Sequence, residues 1–379
     1  MIVVIADDIT GAAEMGGIAL RYGLKTIVAE DVDANVNADV LVIYTNTRSM
    51  KKEEAFEIMA GLTKKASELQ PSLFYKKTDS VLRGHILAEM KAQMLAMNFS
   101  KGLLVPVNPS LGRIISDGKY YVNDEPIHQT SFANDPEFPI TSSNVLDILG
   151  NENVQVSIVK HGELLNENGV SVGEAKTSED VLAWANKVDE QTLAAGGGSF
   201  FNALLLLKYR LKNESKKPVD LSSPLLLISG TTFQKNVQRI KEYSQLVSYM
   251  PINVFNDEEI NDSAFEKWSN DILEKLSKHN KAIIAVDNSS NKKADSNLLR
   301  EKKSKITELI LQKVKLKEVL IEGGSTAYSI IKKTGWQSFA PTKELQQGIV
   351  RMQVEGVNDL HLTIKPGSYN WPPEWNFNQ

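Results

Sequence analysis

Short apolar runs alternate with helical patterns along almost the whole chain. Ile2 to Ala6 is uninterrupted apolar sequence, as expected of a strand buried on both faces of a parallel sheet. Ala12 to Tyr22 reads as a helix stopped by Gly23, a residue type common just past a helix end. Lys25 to Glu30 and Val40 to Tyr44 return as strands. Phe56, Met59, Leu62, Ala66 and Leu69 then recur at helical spacing, with Glu53 and Glu54 in the favourable first turn and Pro71 as the stop. A strand from Leu73, a helix marked by Ile86, Leu87, Met90, Met94 and Met97, and strands at Leu103 to Val107 and Val154 to Val159 continue the series. Lys119 to Val122 and Pro126-Ile127 form a hairpin about Asn123-Asp124. Phe132 to Pro139 is polar and broken by proline, which predicts a surface insertion. Residues 161–176 carry no readable period, and Val181 to Val188 is a short helix. Ala194 to Ser199 leads into the apolar run Phe200 to Leu207, its three glycines read as close packing.

The second half repeats the pattern. Strands are predicted at Leu225 to Ser229, Ala282 to Val286, Lys315 to Ile321, Ile349 to Val354 and Leu360 to Ile364. Helices are predicted from about Phe233 and over Ala327 to Lys333, and the Lys and Glu runs near 299–317 read as a solvated helix face. Such alternation predicts an α/β protein with mostly parallel sheets and flanking helices. At 379 residues the chain exceeds a typical single core. The charged stretch from Lys212 to Asp220 is the best linker, which gives an N-terminal domain over 1–212, a linker over 213–224 and a C-terminal domain over 225–379.

Composition narrows the functional classes. A net charge of −4 argues against a protein built to hold nucleic acid. The absence of cysteine removes disulfides, thiolate nucleophiles and zinc–cysteine sites, and suits a reducing cytoplasm. No apolar run approaches membrane-spanning length, and the chain opens in a strand without a basic leader, so the expectation is a soluble, cytoplasmic protein. The histidines show no metal-ligand spacing.

Two N-terminal stretches carry the candidate chemistry. The strand ending at Ala6 runs into Asp7-Asp8-Ile9-Thr10-Gly11. One Asp is explained as a helix cap; two adjacent carboxylates repel each other and want a positive partner, a metal ion or a set of hydroxyl groups. The strand from Leu73 ends in Lys76-Lys77-Thr78-Asp79-Ser80 and then Arg83-Gly84. In a parallel sheet both stretches lie beyond carboxyl ends of strands, so opposite charges converge on one rim, which suits a polar, anionic small molecule. In the second half, Ser229-Gly230, Gly323-Gly324-Ser325-Thr326 and Lys365-Pro366-Gly367-Ser368 each follow a strand with small residues, hydroxyls and backbone N–H groups, a design suited to phosphate oxygens. No P-loop, dinucleotide-binding or protein-kinase motif occurs.

Together, Ala6-Asp7-Asp8-Ile9-Thr10-Gly11-Ala12, Lys76 to Gly84, Ser229-Gly230-Thr231, Gly323 to Thr326 and Lys365 to Ser368 resemble the four-carbon acid sugar kinases. The resemblance spans the chain in the expected order, and its two N-terminal motifs are the specific ones. It implies two domains that bind a threonate, erythronate or 3-oxo-tetronate type acid and ATP, with the active site in the interdomain cleft. Asp7, Asp8, Arg48, Lys77, Thr78, Asp79 and Ser80 would hold the acid. Ser229, Gly230, Gly323, Gly324, Ser325, Thr326, Lys365 and Gly367 would hold ATP, with Mg²⁺ bridging its phosphates and no dedicated metal ligands in the protein. Asp79 or Asp8 would take the hydroxyl proton, Arg48 or Lys77 would pair with the substrate carboxylate, and Lys77 or Arg83 would offset charge on the transferring group. The chain departs from the family at Ser325, where an acidic residue is common, and is on the short side. A homodimer is compatible with this reading. A nucleotide-independent phosphosugar isomerase or aldolase, or a sugar-acid sensor, are the alternatives.

Overall fold

The computed structural model describes residues 1–135, 137–212, 221–230, 234–256, 262–286 and 295–372. The chain divides into two compact units, Met1–Glu214 and Ser215–Gln379. Most of the expected linker, residues 213–220, lies outside the described residues, as do Thr231, Thr232 and Asp287.

The first unit opens with β1 (Ile2–Ala6), α1 (Ile9–Arg21), β2 (Thr26–Ala29), β3 (Val40–Tyr44), α2 (Lys52–Ser67), β4 (Leu73–Lys77), α3 (Ile86–Met97) and β5 (Lys101–Val105). An excursion follows, in which β6 (Arg113–Ser116), β7 (Lys119–Val122) and β8 (Glu125–Pro126) form a small antiparallel sheet and α4 (Val145–Leu149) leads back. β9 (Val156–Val159), β10 (Gly169–Gly173), α5 (Ser178–Ala185), β11 (Thr192–Gly196) and α6 (Gly198–Lys208) complete the unit. Its main sheet has the order β2-β3-β1-β4-β11-β5-β10-β9, with every neighbouring pair parallel.

The apolar runs became the strands because these strands are covered on both faces. All five residues of β1 and of β3 are buried. The small residues of α1 let it lie close to the sheet and to α6. Tyr75 of β4 packs between Phe200 and Phe201 and donates its hydroxyl to the carbonyl of Gly197 at 2.7 Å. The glycine run at 196–198 is packing, as expected. A Cβ on Gly196 would fall 2.1 Å from the Val105 carbonyl oxygen, and one on Gly198 would fall 2.5 Å from Glu14 Oε1. The hairpin turn is also as expected, since Asn123 and Asp124 both take positive φ. The unreadable region 161–176 holds β10, which lies between β5 and β9.

The second unit runs β12 (Leu225–Ser229), α7 (Gln234–Glu242), β13 (Val247–Tyr249), α8 (Ile252–Asn256), α9 (Asp262–His279), β14 (Lys281–Ala285), α10 (Ser296–Lys313), β15 (Glu318–Glu322) and α11 (Gly324–Thr334), then β16 (Ser338–Gln346), β17 (Ile349–Val354) and β18 (His361–Lys365). The order is β13-β14-β12-β15-β18-β17-β16, parallel as far as β18 and antiparallel through β17 and β16. The molecule is therefore α/β with mostly parallel strands. One expectation is overturned here. The run near 299–317 is not a solvated face throughout, because Lys302 and Lys303 of α10 are buried along with Ile306 and Ile310. Long aliphatic stems let lysine share an apolar face, which charge counting along the sequence does not see. Among the described residues, no helix is long and apolar enough to cross a membrane.

Beneath the first sheet, Lys76 and Glu89 form a fully buried ion pair at 2.6 Å. Removing one partner strands the other's charge in the interior. Glu89→Ala is expected to lower the unfolding free energy by about 3–5 kcal/mol, and a Lys76→Met/Glu89→Leu double variant should regain most of that loss, both read from urea unfolding.

Candidate functional site

In an open α/β sheet ligands bind beyond the carboxyl ends of the strands, at the point where strand order reverses. In the first unit that point is β1, flanked by β3 and β4, and in the second it is β12, flanked by β14 and β15. The sequence motifs fall on these edges.

Asp8 is the N-cap of α1. Its Oδ1 accepts the Gly11 N–H at 2.8 Å, and its Oδ2 accepts the Thr10 hydroxyl. Asp7 has a different partner. Arg48, in the 3₁₀ turn Thr47–Ser49 after β3, clasps it bidentately, Nε to Oδ2 at 2.8 Å and Nη2 to Oδ1 at 2.9 Å. The same guanidinium donates to Asp8 Oδ2 at 3.2 Å and lies 3.7 Å from Asp79 Oδ1. Gly84, at φ +91°, makes room for the Arg48 stem; a Cβ there would lie 3.0 Å from Arg48 Cγ. The positive partner wanted by the paired aspartates is thus an arginine from the neighbouring strand.

Asp79 is gripped more tightly. Arg83 donates to it through Nε and Nη2, each at 2.9 Å, and the backbone N–H groups of Val81 and Arg83 reach Oδ2 at 3.2 Å. Arg83 Nη1 also donates to Asp135 Oδ2 at 2.8 Å. Burial opposes ionisation of Asp79, but Arg83 and Arg48 overcome it and hold the carboxyl far below the usual carboxylate range. Burial likewise opposes ionisation of Asp7, and Arg48 with Lys76 and Lys77 brings its value down. Lys77 sits 3.4 Å from Glu14 and donates to the Thr78 carbonyl at 2.8 Å. Burial works against its ammonium, yet Glu14 and the three aspartates push its pKa up, so it stays charged. Ser80 accepts from Arg113 Nη1 at 2.5 Å, and its carbonyl accepts the Tyr120 hydroxyl. The buried Thr78 hydroxyl has no partner among the described residues.

The first rim therefore gathers Asp7, Asp8, Arg48 and Asp79 around one guanidinium, with Arg83 tied on through Asp79. Sequence reading missed Glu14, Asp135, Arg113 and Tyr120. Glu14 carried a signal, as an acidic residue inside the small and apolar Gly11 to Ala19 segment. Asp135 lies in the Pro-broken insertion, whose Phe132 ring underlies both Arg83 and Arg113.

On the second rim Ser229, Glu322 and Lys365 end three adjacent strands in one register. Glu322, which motif reading passed over, is the hub. It accepts from Ser229 Oγ at 2.7 Å and from Trp371 Nε1 at 2.6 Å, with Lys365 Nζ at 3.6 Å. Lys365 also donates to the Tyr369 and Pro366 carbonyls. Gly323 takes φ +97° and, as the N-cap of α11, has no side chain with which to cap it; the first N–H groups of the Gly324-Ser325-Thr326 turn lack intrahelical acceptors. Gly230 abuts this turn; a Cβ there would lie 2.3 Å from both the Glu322 carbonyl oxygen and Thr326 Oγ1. Gly367 follows in the turn after β18. Lys303 is buried behind the rim, where burial lowers its pKa to about 8 against the opposing pull of Glu322. A helix N-terminus that opens on glycine backbone fits a phosphate chain. Among the described residues no trio of acidic or histidine side chains could cage a metal ion.

The fold defines a two-unit α/β protein, and residues 2–204, nearly all of its first unit, match the family model described as a sugar-binding N-terminal domain. The chain is 32% identical over 222 residues to a D-threonate kinase of Salmonella typhimurium, covering 53% of this chain and 52% of the relative. It is 27% identical over 310 residues to a D-erythronate kinase of Heliobacterium modesticaldum, covering 73% and 69%. The chain thus matches about half the length of the Salmonella protein. A crystal structure from Haemophilus influenzae shares the fold, with a TM-score of 0.72 at 18% identity over 97% of each chain. The chain belongs to the four-carbon acid sugar kinase family.

The folded carboxyls of Asp7 and Asp79 titrate below their unfolded counterparts. Their stabilisation is therefore complete at neutral pH and is lost as acid is added, from about pH 4 downward. Asp79→Asn is expected to lower unfolding free energy at pH 7 by about 3 kcal/mol. The gap from wild type should narrow toward pH 3, as followed by urea unfolding across pH.

Proposed function

We propose that this chain is an ATP-dependent kinase that phosphorylates a hydroxyl of a four-carbon sugar acid of the threonate, erythronate or 3-oxo-tetronate type. The observation that carries the reading is the Asp7–Arg48–Asp8–Asp79 cluster at the strand-order reversal of a sugar-binding unit. Fixed carboxylates accept hydrogen bonds from the vicinal hydroxyls of a polyol, and the arginine between them holds Asp7 and Asp79 ionised. Asp8 is the base in this scheme. Its side chain is 16% exposed, against 4% for Asp7 and 8% for Asp79, so it is the carboxylate an incoming hydroxyl reaches. Asp79, tied to Arg83 and two backbone N–H groups, is held too acidic for that task and instead fixes Arg83. Lys77 stays protonated beside the three aspartates and offsets charge on the transferring group, together with Arg83.

The uncapped turn Gly323 to Thr326, with Ser229, Gly230 and Gly367 on the same edge, is the proposed nucleotide cradle. Lys365 is held by Glu322 and backbone carbonyls, so it braces the turn, while Lys303 supplies a buried cation behind it. Bound MgATP would bring the phosphoryl group and a divalent charge on its phosphates.

The test is ADP release with Mg²⁺ across four-carbon aldonic and oxo acids. At least one acid should support turnover, and Asp8→Asn should cut kcat by about 100-fold or more with a smaller change in KM. Silence across the whole panel would sink the kinase reading, and wild-type turnover by Asp8→Asn would remove that residue from the base role.

A further inference from the structure

The first rim contains several arginines, and their partners differ. Arg48 is bound on three sides by Asp7, Asp8 and Asp79. Arg83 is bound by Asp79 and Asp135. Lys77 faces Glu14. Each of these cations already answers a carboxylate of the protein. A substrate carboxylate brought to them would meet the aspartates' charge as well, and like charges at close range repel.

Arg113 is the exception. It stands at the start of β6, where its backbone pairs in both directions with Asn108, at 3.0 Å and 2.9 Å. Its guanidinium donates to Ser80 Oγ at 2.5 Å and lies 5.7 Å from the centre of the Phe132 ring, which also underlies Arg83 at 5.9 Å. No carboxylate of the described residues forms an ion pair with it. Ser80 closes the motif that begins at Lys77, so this guanidinium is aligned with the rim and retains donors for a planar anion. A bidentate carboxylate fits such a fork.

We propose that Arg113 reads the carboxylate of the sugar acid, so that the hydroxyl end lies toward Asp8 and the acid end toward the β6 hairpin. The inference rests on the sugar-acid reading above and assigns the residue that separates an acid from a neutral polyol. Ser80 and Phe132 are positioning residues in this scheme. They hold the guanidinium's plane and touch no reacting atom.

The test compares calorimetric binding of threonate and erythronate with binding of their neutral amides, for wild type, Arg113→Gln and Arg113→Lys. Wild type should prefer the acid, and Arg113→Gln should cut that preference by at least about tenfold, equivalent to ~1.4 kcal/mol. Arg113→Lys, which keeps charge but loses the fork, should fall between. An undiminished preference in Arg113→Gln overturns the assignment and leaves the sugar-acid reading standing. Equal weakening of acid and amide also overturns it, since that marks a structural role. Failure of wild type to bind any of threonate, erythronate and a 3-oxo-tetronate would remove the sugar-acid reading itself. Should Arg113→Gln not fold, Ser80→Ala, which releases the guanidinium from its hydroxyl anchor, must narrow the acid preference for the assignment to hold.

Discussion

One guanidinium organises the N-terminal unit. Asp7 and Asp8 leave β1 side by side and Asp79 arrives from β4 next door, so three carboxylates crowd the edge of two adjacent strands. Carboxylates at such range repel one another unless a cation stands between them. Arg48 reaches in from the far side of β1, on the turn after β3, and touches every one of them. The three strand ends are thereby tied to a planar group with fixed donor directions. The arrangement is demanding, since a buried ion cluster offsets its desolvation only when geometry is good and remaining donors are satisfied. Gly11 and Gly84 show the demand in the backbone. The first lets Asp8 and Lys77 close on the helix start, and the second leaves space for the Arg48 stem.

The second unit solves a related problem with opposite means. There a single carboxylate, Glu322, is surrounded by a hydroxyl, an indole N–H and an ammonium from its neighbours. The polar cost of the hub is met inside the protein, and the glycine turn beside it presents backbone with no side-chain cap. One rim thus offers fixed charge suited to hydroxyl groups; the other offers backbone N–H groups suited to phosphate oxygens. Both rims nonetheless occupy the same topological place, beside β1 and beside β12, where strand order reverses.

Much of this was legible in the residues themselves. Fully buried strands such as β1 and β3 announce themselves as apolar runs, and the motifs at their ends name the edge on which chemistry sits. What could not be read is what depends on partners distant in sequence. Nothing near Asp7 says that Arg48 will clasp it across 41 positions. Asp135 and Phe132 looked like surface filler because their role exists only once Arg83 and Arg113 lie against them. β10 escaped notice because Ser171 interrupts its apolar residues and Gly169 and Gly173 form its ends, so no apolar run marks it. Lys302 and Lys303 misled for the converse reason, since charge in a helix suggests water and these two turn inward.

The Glu322 hub makes the second rim visible to light. Trp371 donates its indole N–H to the carboxylate that sits directly before Gly323, and the Lys365 ammonium lies 5.6 Å from the centre of its ring. Indole emission responds to charge and hydrogen bonding at that nitrogen. This tryptophan is therefore a built-in optical gauge of the carboxylate that precedes the glycine turn.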